Sequence, residues 1–131
     1  MPLIAAAEWT GPQACLLSRE LRAASWRALE HLHEQGLVRA IGVSNWSSAQ
    51  LLELLGSTRT RVPPHLVQSE CHPLFSNASL RAVCAAHGVA FQAYGPLGGK
   101  SSGLTAHPTV LSVARSAGRS PAQVLITTDR H

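Results

Sequence analysis

An amphipathic stretch closed by glycine and followed by a short apolar run recurs along this sequence, and that repeat limits the fold more than any other feature. From Leu21 to Gln35, apolar or small residues fall at Leu21, Ala24, Ser25, Ala28, Leu29 and Leu32. This three-and-four spacing predicts a helix with one buried stripe. Gly36 follows as the stop, since glycine accepts the left-handed conformation that ends helices. Leu37 to Ser44 is rich in branched residues and mostly apolar on both parities, which predicts a strand covered on both faces. Ser47 to Gln50 has the capping-box pattern ahead of the apolar run Leu51 to Leu55, and Gly56 closes that second helix.

After a loop containing Val62, Pro63 and Pro64 the unit repeats. Leu66 to Cys71 reads as a second strand. Asn77 is placed to cap a helix with Leu80, Val83, Cys84 and His87 on one face, and Gly88 ends it. Val89 to Tyr94 is the third strand. Strand ends near Ser44, Cys71 and Tyr94 are spaced by 27 and 23 residues, the interval of successive strand-helix units in a parallel sheet. Gly95 to Thr105 is polar, Val110, Val113, Ala114 and Ala117 predict a helix closed by Gly118, and Ser120-Pro121-Ala122-Gln123 announces another.

Composition narrows the function. At 131 residues and 45% apolar the chain has the size of one globular domain. Its net charge of +4 comes from basic residues spread along the whole length, which is a solvated surface rather than a nucleic-acid stripe. Only Arg59-Thr60-Arg61 concentrates charge. Cys15, Cys71 and Cys84 are odd in number and lack CxxC spacing, against both a disulfide framework and a structural zinc site. Met1 to Ala7 is apolar without a basic flank, and no run reaches the length of a membrane span. A cytoplasmic protein with no membrane or nucleic-acid partner is the expectation; oligomeric state is left open.

In parallel α/β folds chemistry sits beyond the carboxyl ends of the strands. Those ends read Ser44-Asn45, then Gln68 with Glu70-Cys71-His72-Pro73, then Tyr94 to Gly98. A hydroxyl, two carboxamides and an aromatic ring suit a flat, amide-bearing heterocycle, bonded on its edge and stacked on its face. The segments Trp26 to Glu30, Gly36 to Asn45 (ending IGVSN), Gln68 to Pro73 (containing ECHP) and Ala93 to Gly98 resemble the aldo-keto reductases in order and interval. The resemblance covers residues 21–126, with 1–20 and 127–131 unmatched.

It implies an α/β fold, a partial (β/α)8 barrel of about three parallel strands with flanking helices. It also implies an oxidoreductase that reduces small aldehydes and ketones to alcohols with NADPH or NADH. Residue by residue, Ser44, Asn45 and Gln68 would hold the nicotinamide carboxamide, Tyr94 would stack on its ring, and Gly95 to Gly98, Gly95 and Leu97 among them, would approach the pyrophosphate. Many relatives have Ser where Gly95 stands, so one hydroxyl to the phosphate is missing here.

The same resemblance implies an absence. The family's general acid Tyr and its Lys, Asp and His partners lie on earlier strands; the one Tyr here, Tyr94, matches the stacking position, and the one Lys, Lys100, sits in a loop. No catalytic residue is therefore assigned, and a truncated, inactive or partner-binding product is the alternative expectation. Three strands cannot close a barrel, so Val43 and Phe91, read as facing inward, are expected to lack their usual partners.

Two further readings of the motifs are weaker. Glu70-Cys71-His72 lacks a second ligand pair at zinc spacing, so no metal is assigned. Gly95 to Ser101 looks like a phosphate-binding loop of the nucleotide triphosphatase type. It has one residue too few between its first Gly and Gly-Lys-Ser, however, and no helix signal after it.

Overall fold

The computed structural model describes residues 12–99 and 102–128 of the chain. The readings placed on Met1 to Ala7, on Lys100 and Ser101 of the loop, and on the last three residues lie outside that range, as does the side chain of Cys15. Eight elements follow in order: α1 (Pro12–Glu34), β1 (Gly42–Ser44), α2 (Ser48–Leu55), β2 (Leu66–Glu70), α3 (Ala78–Ala86), β3 (Ala90–Tyr94), α4 (Pro108–Ala117) and α5 (Pro121–Thr128). A single 3-10 turn at Leu104–Ala106 precedes α4.

The three strands form one parallel sheet in the order β1-β2-β3. Its register aligns Ser44, Gln68 and Gln92 in one row and Val43, Val67 and Phe91 in the row before it. Successive side chains on a strand point to opposite faces, so the two rows face opposite ways.

The apolar row faces the helices. Val67 is fully buried with Leu51 of α2 and Leu80 and Cys84 of α3, while Val43 and Phe91 pack against that cluster. The expectation that Val43 and Phe91 face inward without partners is thus wrong by one residue of parity. The uncovered face instead carries Ser44, Gln68, Gln92, Glu70 and Tyr94, with Gly42, Leu66 and Ala90 below them. It is polar where it is bare, which spares the sheet the cost of an exposed apolar surface.

The helix stops behave as their chemistry requires. Gly36 has φ +71°, and Leu37 N–H to Leu32 O at 3.1 Å with Gly36 N–H to His33 O at 2.9 Å closes α1 in a Schellman arrangement. Ser47 and Gln50 form the reciprocal capping box of α2 at 2.9 and 3.3 Å, and Ser120 and Gln123 do the same for α5. Asn77 departs from its expected role. It stands at the start of α3 with φ +48° and makes no side-chain cap; its Nδ2 instead donates to Ser69 Oγ (2.9 Å) and Glu70 O (3.2 Å), tying the helix start to the end of β2.

Two elements differ in extent from the sequence reading. β1 is three residues long, because β2 begins opposite Gly42 and β1 has no neighbour on its other side among the described residues. The chain from Leu37 to Ile41 is fastened to the sheet at its end, where His65 N–H donates to Ile41 O (2.9 Å) and Ile41 N–H to His65 Nδ1 (3.2 Å). α1 begins at Pro12, and its buried stripe is Trp26 and Glu30 with Leu29 and His33 half-buried. This is the predicted stripe advanced by one residue, a rotation of about 100° around the axis. Leu21 is 57% exposed as a result.

Among the described residues Cys71 and Cys84 are both buried, and neither forms a disulfide. Burial pushes the Cys84 thiol above its ordinary range, outweighing a backbone hydrogen bond that acts the other way. Because the folded thiol holds its proton more tightly than the unfolded one, its stability contribution is complete below the ordinary thiol pKa. That contribution is lost as pH rises through the raised folded value. At pH 8 we expect iodoacetamide to label Cys84 at least about tenfold more slowly in the folded chain than in urea. Peptide mapping by mass spectrometry reads this directly, and equal rates would show that the helix-facing core is not closed.

Candidate functional site

Ser44 ends β1, and Asn45 immediately after it turns the chain with φ +60°, a conformation that asparagine tolerates better than most residues. The turn does not break the ladder, since Asn45 N–H donates to Gln68 O at 3.0 Å. It aims the Asn45 amide across the sheet. Asn45 Nδ2 donates to Ser44 Oγ at 3.2 Å, and Asn45 Oδ1 accepts the Tyr94 hydroxyl proton at 2.8 Å. A residue at the edge of β1 is thereby joined to one at the end of β3, 49 positions later.

Gln68 lies between them, in register with Ser44 on one side and Gln92 on the other. Its Nε2 donates to Gln92 Oε1 at 2.9 Å. The structure thus gathers Ser44, Asn45, Gln68 and Tyr94 at one end of one face of the sheet. Gln92 belongs to the same row, although sequence reasoning passes over it. A signal for it exists: Gln92 sits two residues before Tyr94 on the same strand parity, opposite Gln68 once the strands align.

Gly95 continues directly from Tyr94 with φ +66°, and a side chain there would meet nothing nearer than Glu70 Cγ at 3.9 Å. The surface beside it is open to an approaching group. Gly98 N–H donates to Gly95 O at 2.7 Å, folding the loop back. Leu97 is held by that loop rather than by bonds to the other four residues: its carbonyl accepts from Ser102 Oγ at 3.0 Å, and its side chain is 38% exposed. A single 3-10 turn follows the loop instead of a helix of phosphate-binding length. Glu70, beside Tyr94 in register, has its Oε1 3.2 Å from His72 Nε2, so this carboxylate is engaged at the rim.

The internal bonds decide what the group can offer a ligand. Tyr94 occupies Asn45 Oδ1, and Gln92 occupies one N–H of Gln68. What remains includes the second Nδ2 proton of Asn45, the Ser44 hydroxyl proton, the second Nε2 proton of Gln68 and Gln68 Oε1, together with the 39%-exposed Tyr94. Donors beside an acceptor complement a primary carboxamide, whose carbonyl takes donors and whose NH2 meets the acceptor.

Elsewhere a cleft of about 710 Å³ lies between α1 and α2, where Arg22 covers the Trp46 ring at 5.7 Å. Arg19 and Arg22 are both paired with Glu53, and no reactive side chain converges there. The strand ends remain the better site, because there the polar groups are aligned on one face.

A sequence-family profile described as "Aldo/keto reductase family" matches residues 8–127. The chain is 42% identical over 106 residues to the 9,11-endoperoxide prostaglandin H2 reductase of Trypanosoma cruzi, covering 80% of this chain and 37% of that protein. It is 40% identical over 110 residues to the human aldo-keto reductase family 1 member A1, covering 78% of this chain and 33% of the relative. Among solved structures, an aldo/keto reductase from Brucella melitensis superposes with a TM-score of 0.74 at 38% identity, over 82% of this chain and 40% of that one. The chain therefore spans between a third and two fifths of the length of the proteins it matches. Its three parallel strands and helices are part of such a barrel.

Proposed function

Because this chain belongs to the aldo/keto reductase family, we propose that its strand ends hold the nicotinamide end of NADPH within an oxidoreductase that reduces small aldehydes and ketones. One observation carries the reading: the hydrogen bonds among Ser44, Asn45, Gln68, Gln92 and Tyr94 gather these side chains on one face and leave donors on Asn45 and Ser44 beside the acceptor Gln68 Oε1, which suits a primary carboxamide. Asn45 and Ser44 would take the carboxamide oxygen, Gln68 Oε1 its NH2, and the Tyr94 ring the face of the heterocycle. Gly95 and the loop through Leu97 would run beside the phosphates, with Gly95 giving backbone access in place of a side-chain hydroxyl.

When bound, the cofactor supplies hydride to a carbonyl carbon. This chain's own residues bind and orient. The Tyr94 hydroxyl is committed to Asn45 Oδ1, which fixes the ring rather than freeing a proton for a substrate oxygen. No general acid is assigned among residues 12–99 and 102–128. A cytoplasmic location and a preference for NADPH over NADH are carried as part of the same proposal.

The test is a fluorescence titration of NADPH on the purified chain, with circular dichroism to follow folding. Removing the ring with Tyr94→Ala should weaken binding by roughly tenfold or more, the scale of one aromatic-heterocycle stack. Asn45→Ala should cost several-fold, since it removes a donor and also unfastens Tyr94. Unchanged affinity in both variants would remove the assigned site. The competing reading, a non-catalytic chain that associates through the edges of β1 and β3 left unpaired among the described residues, expects no NADPH signal and an assembly larger than a monomer.

A further inference from the structure

We propose that the cleft between α1 and α2 is a second binding site, one that takes a small organic phosphate monoester. The inference is independent of the cofactor reading above. The cleft measures about 710 Å³, within the range of roughly 300 to 1,000 Å³ common to small-molecule sites. Its floor is apolar: Trp26 and Leu54 are buried, and Trp46 packs against them. Arg19, Arg22, Arg27 and Arg59 line it together with Glu20 and Glu53, and four positive charges against two negative leave the walls at +2.

That charge is unevenly spread. Glu53 pairs with both Arg19 and Arg22, and Arg22 also covers the Trp46 ring, so these two guanidiniums are engaged within the protein. Arg27 and Arg59 are not: among the described residues neither side chain makes an ion pair or a hydrogen bond. The loop after α2 brings the two to one end of the cleft. Val62 O accepts the Trp26 Nε1 proton, and Glu30 Oε1 accepts the Arg61 and Val62 N–H groups, so this loop lies along residues 26–30 of α1. Arg59, two positions before Arg61, then lines the wall opposite Arg27. Glu20 stands almost two helical turns away from Arg27, about 10 Å along the axis. The neighbouring groups also donate. Ser57 Oγ accepts the Arg59 N–H at 3.2 Å and keeps its own proton free, and the Thr58 hydroxyl has no partner among the described residues. Two guanidiniums and two hydroxyls offer more donors than the two oxygens of a carboxylate need; they suit the three terminal oxygens of a phosphate monoester, which a guanidinium binds with two parallel bonds. The apolar floor is left for the body of the ligand.

The probe is phenyl phosphate, titrated into the wild-type chain by isothermal calorimetry. Tryptophan fluorescence gives a second signal, because Trp26 and Trp46 line the cleft. Phenyl phosphate should bind at least about tenfold more tightly than inorganic phosphate, which lacks the ring, and than phenol, which lacks the charge. Arg27→Gln and Arg59→Gln should each weaken it by roughly three- to tenfold, the scale of one charge-assisted hydrogen bond at an exposed position. Arg59→Lys keeps the charge without the fork and should fall between wild type and Arg59→Gln. Both arginine side chains are exposed and unbonded, so neither variant removes a contact that the fold depends on, and circular dichroism checks this. Tyr94→Ala should leave the affinity for phenyl phosphate within about twofold, since the cleft lies among the helices and Tyr94 on the bare face of the sheet. Affinity unchanged in both arginine variants, or lost in Tyr94→Ala instead, overturns the inference. Inorganic phosphate binding as tightly as phenyl phosphate overturns it too, as does a folded chain that binds neither.

Discussion

Gly42→Val should unfasten β1 from the sheet, lowering stability by about 3 kcal/mol or more and abolishing NADPH binding with it. Gly42 has none of the positive φ that usually explains a required glycine; the reason is space. It pairs with Leu66, and a methyl carbon built on it runs into the Leu66 carbonyl oxygen, with the carbonyl carbon and Cβ of Leu66 at 3.1 Å. Two of those atoms are neighbouring backbone and the third is fixed directly to it, so none can swing aside as the tip of a long side chain would. β1 is only three residues long, so it has few ladder bonds with which to resist. Ser44 and Asn45, two and three residues on, would lose their alignment with Gln68. Gly56→Ala is the control: it faces only Leu52 O at 3.2 Å from a right-handed backbone at a helix end, and should change stability by under about 1 kcal/mol. Urea titration of both variants decides the matter. Equal small effects would mean that β1 does not pair as described.

The same close approach shows what a sequence can and cannot reveal. Glycine stops, capping boxes and the 27- and 23-residue intervals are legible because each is a local rule, and they deliver three parallel strands in the right order. The grouping of Ser44, Asn45, Gln68 and Tyr94 is legible as well, since parallel strands bring their ends together whatever the helices do. Facing is not. Val43 and Phe91 are apolar and read as inward, yet the apolar row serves the helices and the polar row the bare face. Apolar residues on both parities of Leu37 to Ser44 give hydropathy nothing with which to choose. Gln92 is passed over for a related reason: its parity with Tyr94 is legible on the strand, but the side chain it bonds lies 24 residues earlier.

The stripe of α1 misleads for a different physical reason, and it yields the second large prediction. A periodicity of apolar residues finds Leu21, Ala28 and Leu32, whereas the positions that the fold buries are Trp26 and Glu30. Both are there to satisfy one stretch of backbone in the loop before β2. Trp26 Nε1 donates to Val62 O at 3.1 Å, while Glu30 Oε1 accepts Arg61 N–H at 2.7 Å and Val62 N–H at 2.9 Å. A fully buried carboxylate is costly unless it is bonded and paired, and here Arg61 Nε stands 3.9 Å from Glu30 Oε2. That second oxygen accepts no hydrogen bond, so the clamp has no reserve.

Glu30→Ala leaves two backbone N–H groups without acceptors at a buried site and should cost about 3 kcal/mol. That is a large share of the roughly 5 to 15 kcal/mol available to a domain. Glu30→Gln keeps one oxygen for those two donors and loses only the charge, so it should cost about half as much even with its new NH2 poorly placed. Urea unfolding should therefore rank the wild-type chain above E30Q, and E30Q above E30A. If the E30A chain proves as stable as wild type, α1 is not held to the sheet through the Arg61-Val62 backbone. The placement of β2, and of Gln68 upon it, would then need another anchor.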